Sequence, residues 1–283
     1  MQAPRLLLAV DMDGTLLRDD KTIAPEDAAA VLEAAAHGIA VTIATGRLTT
    51  GALPAARELR LGTPLVCADG AVLVDPLHGA VLHRRSIVTE HAQLALDAIV
   101  GHGLVPYVFL TDEIHCEGSG EQHRAFVETW TRDVIVHGSL SAAGAWREPE
   151  RVAMTLGIGA EEWVFRAAEH LRGAHAGILD TVHFNLMGAD VWAVRSLPGG
   201  CDKGVMLAQL AQRLGLPASR VAAVGDWYND VGMFKYAGRS FAMGHAPSAV
   251  RDVATDVLRA TSRRGGGVAE AIGALIASGV GAG

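Results

Sequence analysis

The sequence is short of the features that mark several broad protein classes. Its three cysteines, Cys67, Cys116 and Cys201, lie far apart and form no Cys-x-x-Cys pair. Neither a disulfide framework nor a structural zinc site is indicated, and a reducing cytosol is the expected compartment. A basic excess is also missing. The 24 lysines and arginines face 31 aspartates and glutamates, a formal charge of -7 that argues against a general nucleic-acid surface. The short basic runs His83-Arg84-Arg85 and Arg263-Arg264 read as solvated loop ends. No apolar run approaches the roughly 20 residues of a membrane helix. Leu6 to Val10, interrupted by Asp11, is too short for the hydrophobic stretch of a signal peptide. There is no internal repeat, and the one low-complexity tract is Gly265-Gly266-Gly267. The expectation is a soluble, cytoplasmic protein with no membrane or nucleic-acid partner; the oligomeric state is left open.

What is present points to a sizeable core. Half of the 283 residues are hydrophobic and 19% are charged, enough for one large domain or a domain with a smaller companion. Leu6-Leu-Leu-Ala-Val10 reads as a buried parallel strand. Pro25 and Glu26 open an alanine-rich helix to about His37, stopped by Gly38. Ile39 to Ala44 is the next buried strand, and Leu65 to Ala68 a third, followed by a turn at Asp69-Gly70. Strand, helix and strand with short joins imply right-handed crossovers and a parallel sheet. The alternation returns late, with a helix at Lys203 to Leu214 and strands at Val221 to Val224 and near Ser240 to Met243. A final helix runs from Val268, and Gly279 to Gly283 forms a frayed tail.

Between residues 83 and 195 the texture changes. Helical stretches at Thr89 to Val100, Glu121 to Trp130 and Glu161 to Leu171 are interleaved with alternating segments at Val105 to Leu110, Val152 to Leu156, Ile178 to Phe184 and Val191 to Val194. Alternation implies a sheet with one face exposed, so residues 83–195 read as an inserted α+β domain within an α/β core formed by 1–82 and 196–283.

Four polar segments sit where parallel strands should end, the place where open α/β sheets put their ligands. Asp11-Met12-Asp13-Gly14-Thr15 follows the first strand. Two carboxylates so close in an apolar setting are costly unless a cation lies beside them, and Gly14 permits a sharp turn that presents amides to an anion. Thr45-Gly46-Arg47 offers a hydroxyl and backbone donors. Lys203 places a point charge suited to phosphate at a helix start. Gly225-Asp226-Trp227-Tyr228-Asn229-Asp230 adds further carboxylates. Together these supply oxygen ligands for a hard cation and donors for a phosphoryl group. Each residue type has a structural use as well: aspartates make turns and caps, threonines cap helices, and an isolated lysine is ordinarily on the surface. Trp227 and Tyr228 read as packing or rim residues.

The four segments, in this order, resemble the motifs of the haloacid dehalogenase superfamily of phosphotransferases, and the match covers nearly the whole chain. Asp13 and Thr45 are separated by one helix and one strand, whereas over half the chain lies between Thr45 and Lys203. An insertion there, with its α+β texture, resembles the type IIB cap of the Cof-like phosphatases, as does the late pattern Ala242-Met-Gly-His-Ala246 followed by Gly267-Val-Ala-Glu-Ala271. The resemblance implies a Rossmann-like, doubly wound parallel-sheet core with an inserted cap that sets specificity. It implies a Mg2+-dependent phosphatase that hydrolyses a small-molecule phosphate ester, such as a sugar phosphate, through an aspartyl-phosphate. Asp11 is then nucleophile and metal ligand. Asp13 is the acid and base, and its backbone carbonyl also binds the metal. Gly14, Thr45, Gly46, Arg47 and Lys203 hold phosphate, Asp226 and Asp230 complete the metal site, and Asn229 orients ligands. A phosphomannomutase-like phosphomutase and a non-catalytic phosphate-binding protein are the alternatives. Two departures stand out: Asp69-Gly70-Ala71 replaces the usual Asn-Gly-Ala, and Gly244-His245-Ala246 the usual Gly-Asn-Ala. Asp69 is expected to repel a second anion or to pair with Arg47 or His245. Glu113, His115, Asn185 and Trp192 are the cap candidates for specificity, although isolated histidines such as His115, His123 and His183 are more often structural than ligands.

Overall fold

A computed structural model describes residues 4–140, 142–147, 150–186 and 190–279. Residues 280–283 of the expected glycine tail lie outside them. The chain divides into two compact units, one of Met1–Gly46, Ala52–Leu82 and Asp202–Gly283, the other of Arg47–Gly51 and His83–Cys201.

The first unit is built on five strands, every neighbouring pair parallel, in the order Asp256–Val257, Arg239–Ala242, Val221–Gly225, Leu6–Val10, Ile39–Ile43. Leu6–Val10 is buried at every position, as its continuous apolar run requires of an interior strand. The chain leaves it on one side for Ile39–Ile43 and returns on the other to Val221–Gly225. The connection order therefore reverses beside the first strand, and a crevice opens at its carboxyl end. The expected first helix is α-helical over Pro25–Ala34 and tightens into a 3-10 turn at Ala35–His37 before Gly38, whose φ of 74° ends it. Leu65–Cys67 pairs antiparallel with Val72–Val74 through a turn in which Ala68, Asp69 and Gly70 all have positive φ.

The C-terminal helix Gly267–Ala277 is anchored by a residue from the first helix. Fully buried Asp27 accepts from the backbone N–H of Gly266 and of Ala269, each at 2.8 Å. It thereby satisfies donors that a helix start leaves without intrahelical partners.

The second unit is a six-stranded sheet in the order Leu179–Asn185, Trp192–Pro198, Met154–Gly159, Val105–Phe109, Ile114–Glu117, Val134–His137. Its pairs are antiparallel except the last, which is parallel. The helices Thr89–Gly101 and Glu161–Ala174 contribute Leu96, Ile99, Val164 and Leu171 to its core, with Val108, Val194 and the fully buried Trp146. Three features differ from the sequence reading. Interior strands such as Met154–Gly159 are buried almost throughout rather than alternately, whereas the edge strand Leu179–Asn185 alternates over its first half. The expected helix at Glu121 to Trp130 is a 3-10 turn, Gly118–His123, followed by one α-turn, Arg124–Val127. The last strand continues to Pro198, so the boundary drawn after residue 195 falls inside it. Among the described residues no helix is long and apolar enough to cross a membrane.

Asp27→Ala should destabilise the protein by about 2–4 kcal/mol, since it removes two hydrogen bonds to a carboxylate and strands two helix-start donors. Asp27→Asn, which keeps one acceptor, should lose about half as much. Urea unfolding of the three proteins checks this; an unchanged midpoint for the alanine variant would refute the anchoring role.

Candidate active site

The carboxyl ends of the central strands bring the polar segments together. Asp11 directly follows Leu6–Val10, and its N–H donates to the Val224 carbonyl at 2.9 Å, so it is held in the sheet ladder. Asp226 follows Val221–Gly225, whose Gly225 carbonyl accepts from Met243 N–H at 2.9 Å. Thr45 follows the second strand; its N–H donates to Val66 and its carbonyl accepts from Asp69 N–H. Lys203 is the first residue of the helix Lys203–Arg213, capped by Asp202, whose Oδ1 accepts from Val205 N–H at 2.7 Å. Each of these four stands on a regular element or one or two residues beyond it, where its direction is fixed by the backbone.

Oxygens of Asp11, Asp226 and Asp230 lie within 4.8 Å of one another, and all three residues are buried. Lys203, itself fully buried, donates from Nζ to Asp11 Oδ1 at 2.6 Å and to Asp230 Oδ1 at 2.7 Å. Asp230 Oδ2 accepts from the N–H groups of Asp226 and Trp227 at 2.9 and 3.0 Å, which ties the loop into one shape. Asp226 receives Thr15 Oγ1 on Oδ1 at 3.1 Å and His245 Nε2 on Oδ2 at 3.2 Å. Gly14 is needed here. Its φ is +85°, and a Cβ would come within 2.5 Å of Asp226 Oδ2, so a side chain is excluded by conformation and by space.

Burial and the neighbouring carboxylates of Asp230 and Asp226 hold the Asp11 carboxyl well above its ordinary range, against the opposing pull of Lys203. Burial likewise raises Asp230, with Lys203 opposing. Burial alone would lower Lys203, but Asp11, Asp230 and Asp69 outweigh it and keep the ammonium charged well beyond its usual range. Three carboxylates against one ammonium leave a negative excess in a low-dielectric pocket. The donor set is all oxygen, which suits a hard divalent cation.

Not every candidate joins this group. The Asp13 carboxylate is not among the three clustered carboxylates; its Oδ1 accepts from Lys21 Nζ at 3.1 Å, both side chains being about half exposed. The carboxylates that the structure brings together are those of Asp11, Asp226 and Asp230. The strand ends at Val10 and the chain turns at Met12, so the strand's alternation, which would put residues 11 and 13 on one face, does not carry through. Arg47 belongs to the second unit. Asn229 donates from Nδ2 to Asp69 Oδ1 at 2.7 Å, and His245 meets Asp226. Gly46 lies so near Asp69 that a Cβ would sit 3.0 Å from its Oδ2. Trp227 and Tyr228 are more than half exposed.

In the second unit, His115 is fully buried. Its Nε2 lies 3.0 Å from Glu113 Oε1 and its Nδ1 2.8 Å from His137 Nε2. Asn185 Nδ2 donates to the Val191 carbonyl, and Trp192 packs with the Phe165 and His183 rings. Sequence reasoning named Thr15 only as the end of the first segment, with no role, and did not single out Lys21 or Asp202. Asp202, a helix-capping residue directly before Lys203, carried a readable signal; Lys21 did not.

Lys203→Met should destabilise the fold by about 3–5 kcal/mol in chelator-treated protein, because two buried carboxylates lose their counter-charge while the aliphatic stem is retained. Equilibrium denaturation checks this, and unchanged stability would mean that the ammonium is not what compensates them.

A family model described as haloacid dehalogenase-like hydrolase matches residues 8–272. A 5-amino-6-(5-phospho-D-ribitylamino)uracil phosphatase of Bacillus subtilis (strain 168) is 29% identical over 248 residues, 88% of this chain and 87% of that protein. A pyridoxal phosphate phosphatase of Escherichia coli (strain K12) is 26% identical over 262 residues, 89% of this chain and 92% of that protein. The solved structure of a haloacid dehalogenase-like hydrolase from B. subtilis superposes with a TM-score of 0.81 at 25% identity, covering 95% of this chain and 99% of that one.

Proposed function

The chain belongs to the haloacid dehalogenase-like hydrolases, and from that premise we propose that it is a magnesium-dependent phosphatase of a small phosphorylated metabolite, with Asp11 as the nucleophile. The observation that carries this reading is the buried Asp11 carboxylate, 2.6 Å from Lys203 Nζ and clustered with Asp226 and Asp230. In the first step an Asp11 oxygen attacks phosphorus and the ester P–O bond breaks. The departing alkoxide takes a proton from the Asp13 carboxyl. In the second, Asp13 accepts a proton from water as its oxygen attacks the same phosphorus, releasing inorganic phosphate and restoring the Asp11 carboxylate. Proton transfer of this kind contributes roughly 10²–10⁴-fold. Asp13's exposure and its position one turn from Asp11 suit it to a leaving group that arrives from solvent.

Thr45, Gly46 and the Gly14 turn would hold phosphoryl oxygens, with Lys203 supplying fixed positive charge that needs no reorganisation during the reaction. Asp11, Asp226 and Asp230 would hold magnesium, which when bound supplies positive charge beside the phosphoryl oxygens. The second unit would act as the cap, and the leaving group would be recognised there. Phosphatase relatives with different named substrates, a ribitylamino-uracil phosphate and pyridoxal phosphate, support a small phosphorylated metabolite without choosing among sugar phosphates, nucleotides and cofactors. Three buried cysteines, none of them in a disulfide, with the Cys67 thiol pushed up to about 12 by burial, suit a reducing cytosol.

Purified protein should release inorganic phosphate from members of a phosphate-ester panel, with magnesium and without a bisphosphate activator. Dependence on such an activator would indicate a mutase, and no turnover on any ester would overturn the reading. Asp11→Asn should lose turnover by several orders of magnitude while staying folded. Asp13→Ala should slow a poor leaving group by about 10²–10⁴-fold and p-nitrophenyl phosphate far less; equal losses would remove Asp13 from the acid role.

A further inference from the structure

His245 has a defined place beside the cluster. It lies in the turn between the strand Arg239–Ala242 and the short helix Ser248–Arg251. Its Nδ1 accepts from the Ser262 backbone N–H at 3.3 Å, and its Nε2 is 3.2 Å from Asp226 Oδ2. The segment that brings Ser262 there is held from several sides. Gly244 N–H donates to the Ala260 carbonyl, and Asp19 N–H to the Ser262 carbonyl. Glu270, on the C-terminal helix, accepts from the N–H groups of Arg259 and Ala260.

A backbone N–H can only donate, so Nδ1 must present a lone pair to Ser262. The ring is then the neutral tautomer with its proton on Nε2, and that proton points at Asp226. The other oxygen of Asp226 receives the Thr15 hydroxyl. Each carboxylate oxygen thus accepts one hydrogen bond and keeps a second lone pair. The two donors, one from the first loop and one from the last, leave the carboxylate a single orientation.

We propose that His245, fixed as the Nε2–H tautomer by Ser262, is a positioning residue that orients Asp226 toward the bound divalent cation. This rests on the reading of Asp226 as a cation ligand. Hydrogen bonds from outside the ligand set orient metal ligands, and losing one typically costs 10- to 100-fold in metal affinity. The position needs a donor rather than a histidine as such. Glutamine, whose amide nitrogen reaches about as far from Cα as Nε2, should serve.

The test is Mn2+ binding to substrate-free full-length protein, followed by electron paramagnetic resonance and by isothermal titration calorimetry, with circular dichroism to confirm folding. His245→Ala should bind about 10- to 100-fold more weakly than wild type, and His245→Gln within a few-fold of it. Alanine binding as tightly as wild type, or glutamine binding as weakly as alanine, would overturn the positioning role. Asp226→Asn separates the premise from the inference. If it binds as wild type does, or if wild type takes up no cation, the assignment of Asp226 as ligand fails and the proposal with it. Weak binding by Asp226→Asn beside unaltered binding by His245→Ala defeats the proposal alone.

Discussion

The structure around the strand ends depends on one interaction, the buried ammonium of Lys203 shared between Asp11 and Asp230. Removing such charges from water is expensive, and a carboxylate pair without a counter-charge would be driven to protonate. Lys203 prevents this in part, and the part it leaves undone is what gives the pocket its chemistry. One ammonium cannot balance the three carboxylates that converge here. Burial, together with the remaining negative charge of Asp230 and Asp226, holds Asp11 above its ordinary protonation range, and the excess suits a further cation. A cluster fully balanced within the chain would be a structural salt bridge and nothing more.

Keeping so unfavourable a group of charges in place requires a stiff frame, and the parallel sheet provides it. Asp11 is bonded to Val224, Thr45 to Val66 and Met243 to Gly225, so the ladders continue past the strand ends into the site. Asp230 closes its own loop on the amides of Asp226 and Trp227. The C-terminal segment then buttresses the far side: Asp27 and Glu270 fasten the last helix and the loop before it. Electrostatic preorganisation of this kind is effective because the dipoles and charges are already aimed before a ligand arrives. Small residues are the condition for such closeness. Gly14 lies against Asp226 and Gly225 against the Asp230 carboxylate, and a methyl group at either place would push apart the atoms that must meet.

Much of this could be read from the chain. Leu6–Val10 was legible because a short, wholly apolar run followed by aspartate has few other uses in an α/β fold, and the helix read as Lys203 to Leu214 and the strand read as Val221 to Val224 fall within one residue of Lys203–Arg213 and Val221–Gly225. The residues that converge were legible as strand-end motifs. Which oxygen faces which partner was not, and Asp13 is the example: two positions beyond Asp11 and past a turn, its Oδ1 accepts from Lys21. Thr15 and His245 both stood in segments that the sequence marked, but their meeting with Asp226 depends on a contact across more than two hundred residues for Thr15 and on a returning loop for His245, which local pattern does not give. In the second unit, the strands Ile114–Glu117 and Val134–His137 went unseen because each has only four residues, too few for periodicity to declare itself.

The same consideration narrows what the second unit's polar residues can do. His115 has no exposed surface, and both of its ring nitrogens are engaged, one with Glu113 and one with His137. Its stacking on His137 at 4.9 Å fixes the ring further, and burial together with His115 holds His137 below the ordinary histidine range, which favours the neutral form of His137. A side chain whose hydrogen-bonding capacity is wholly used inside the fold cannot also read a ligand. Glu113 differs: it borders an open pocket of ≈ 340 Å³ together with Thr50, Asp112, Arg132 and Asp133, and Arg151 approaches it at 3.3 Å. Of the two neighbours in sequence pattern, one is therefore a strut and the other is presented to solvent, and it is burial rather than residue type that separates them.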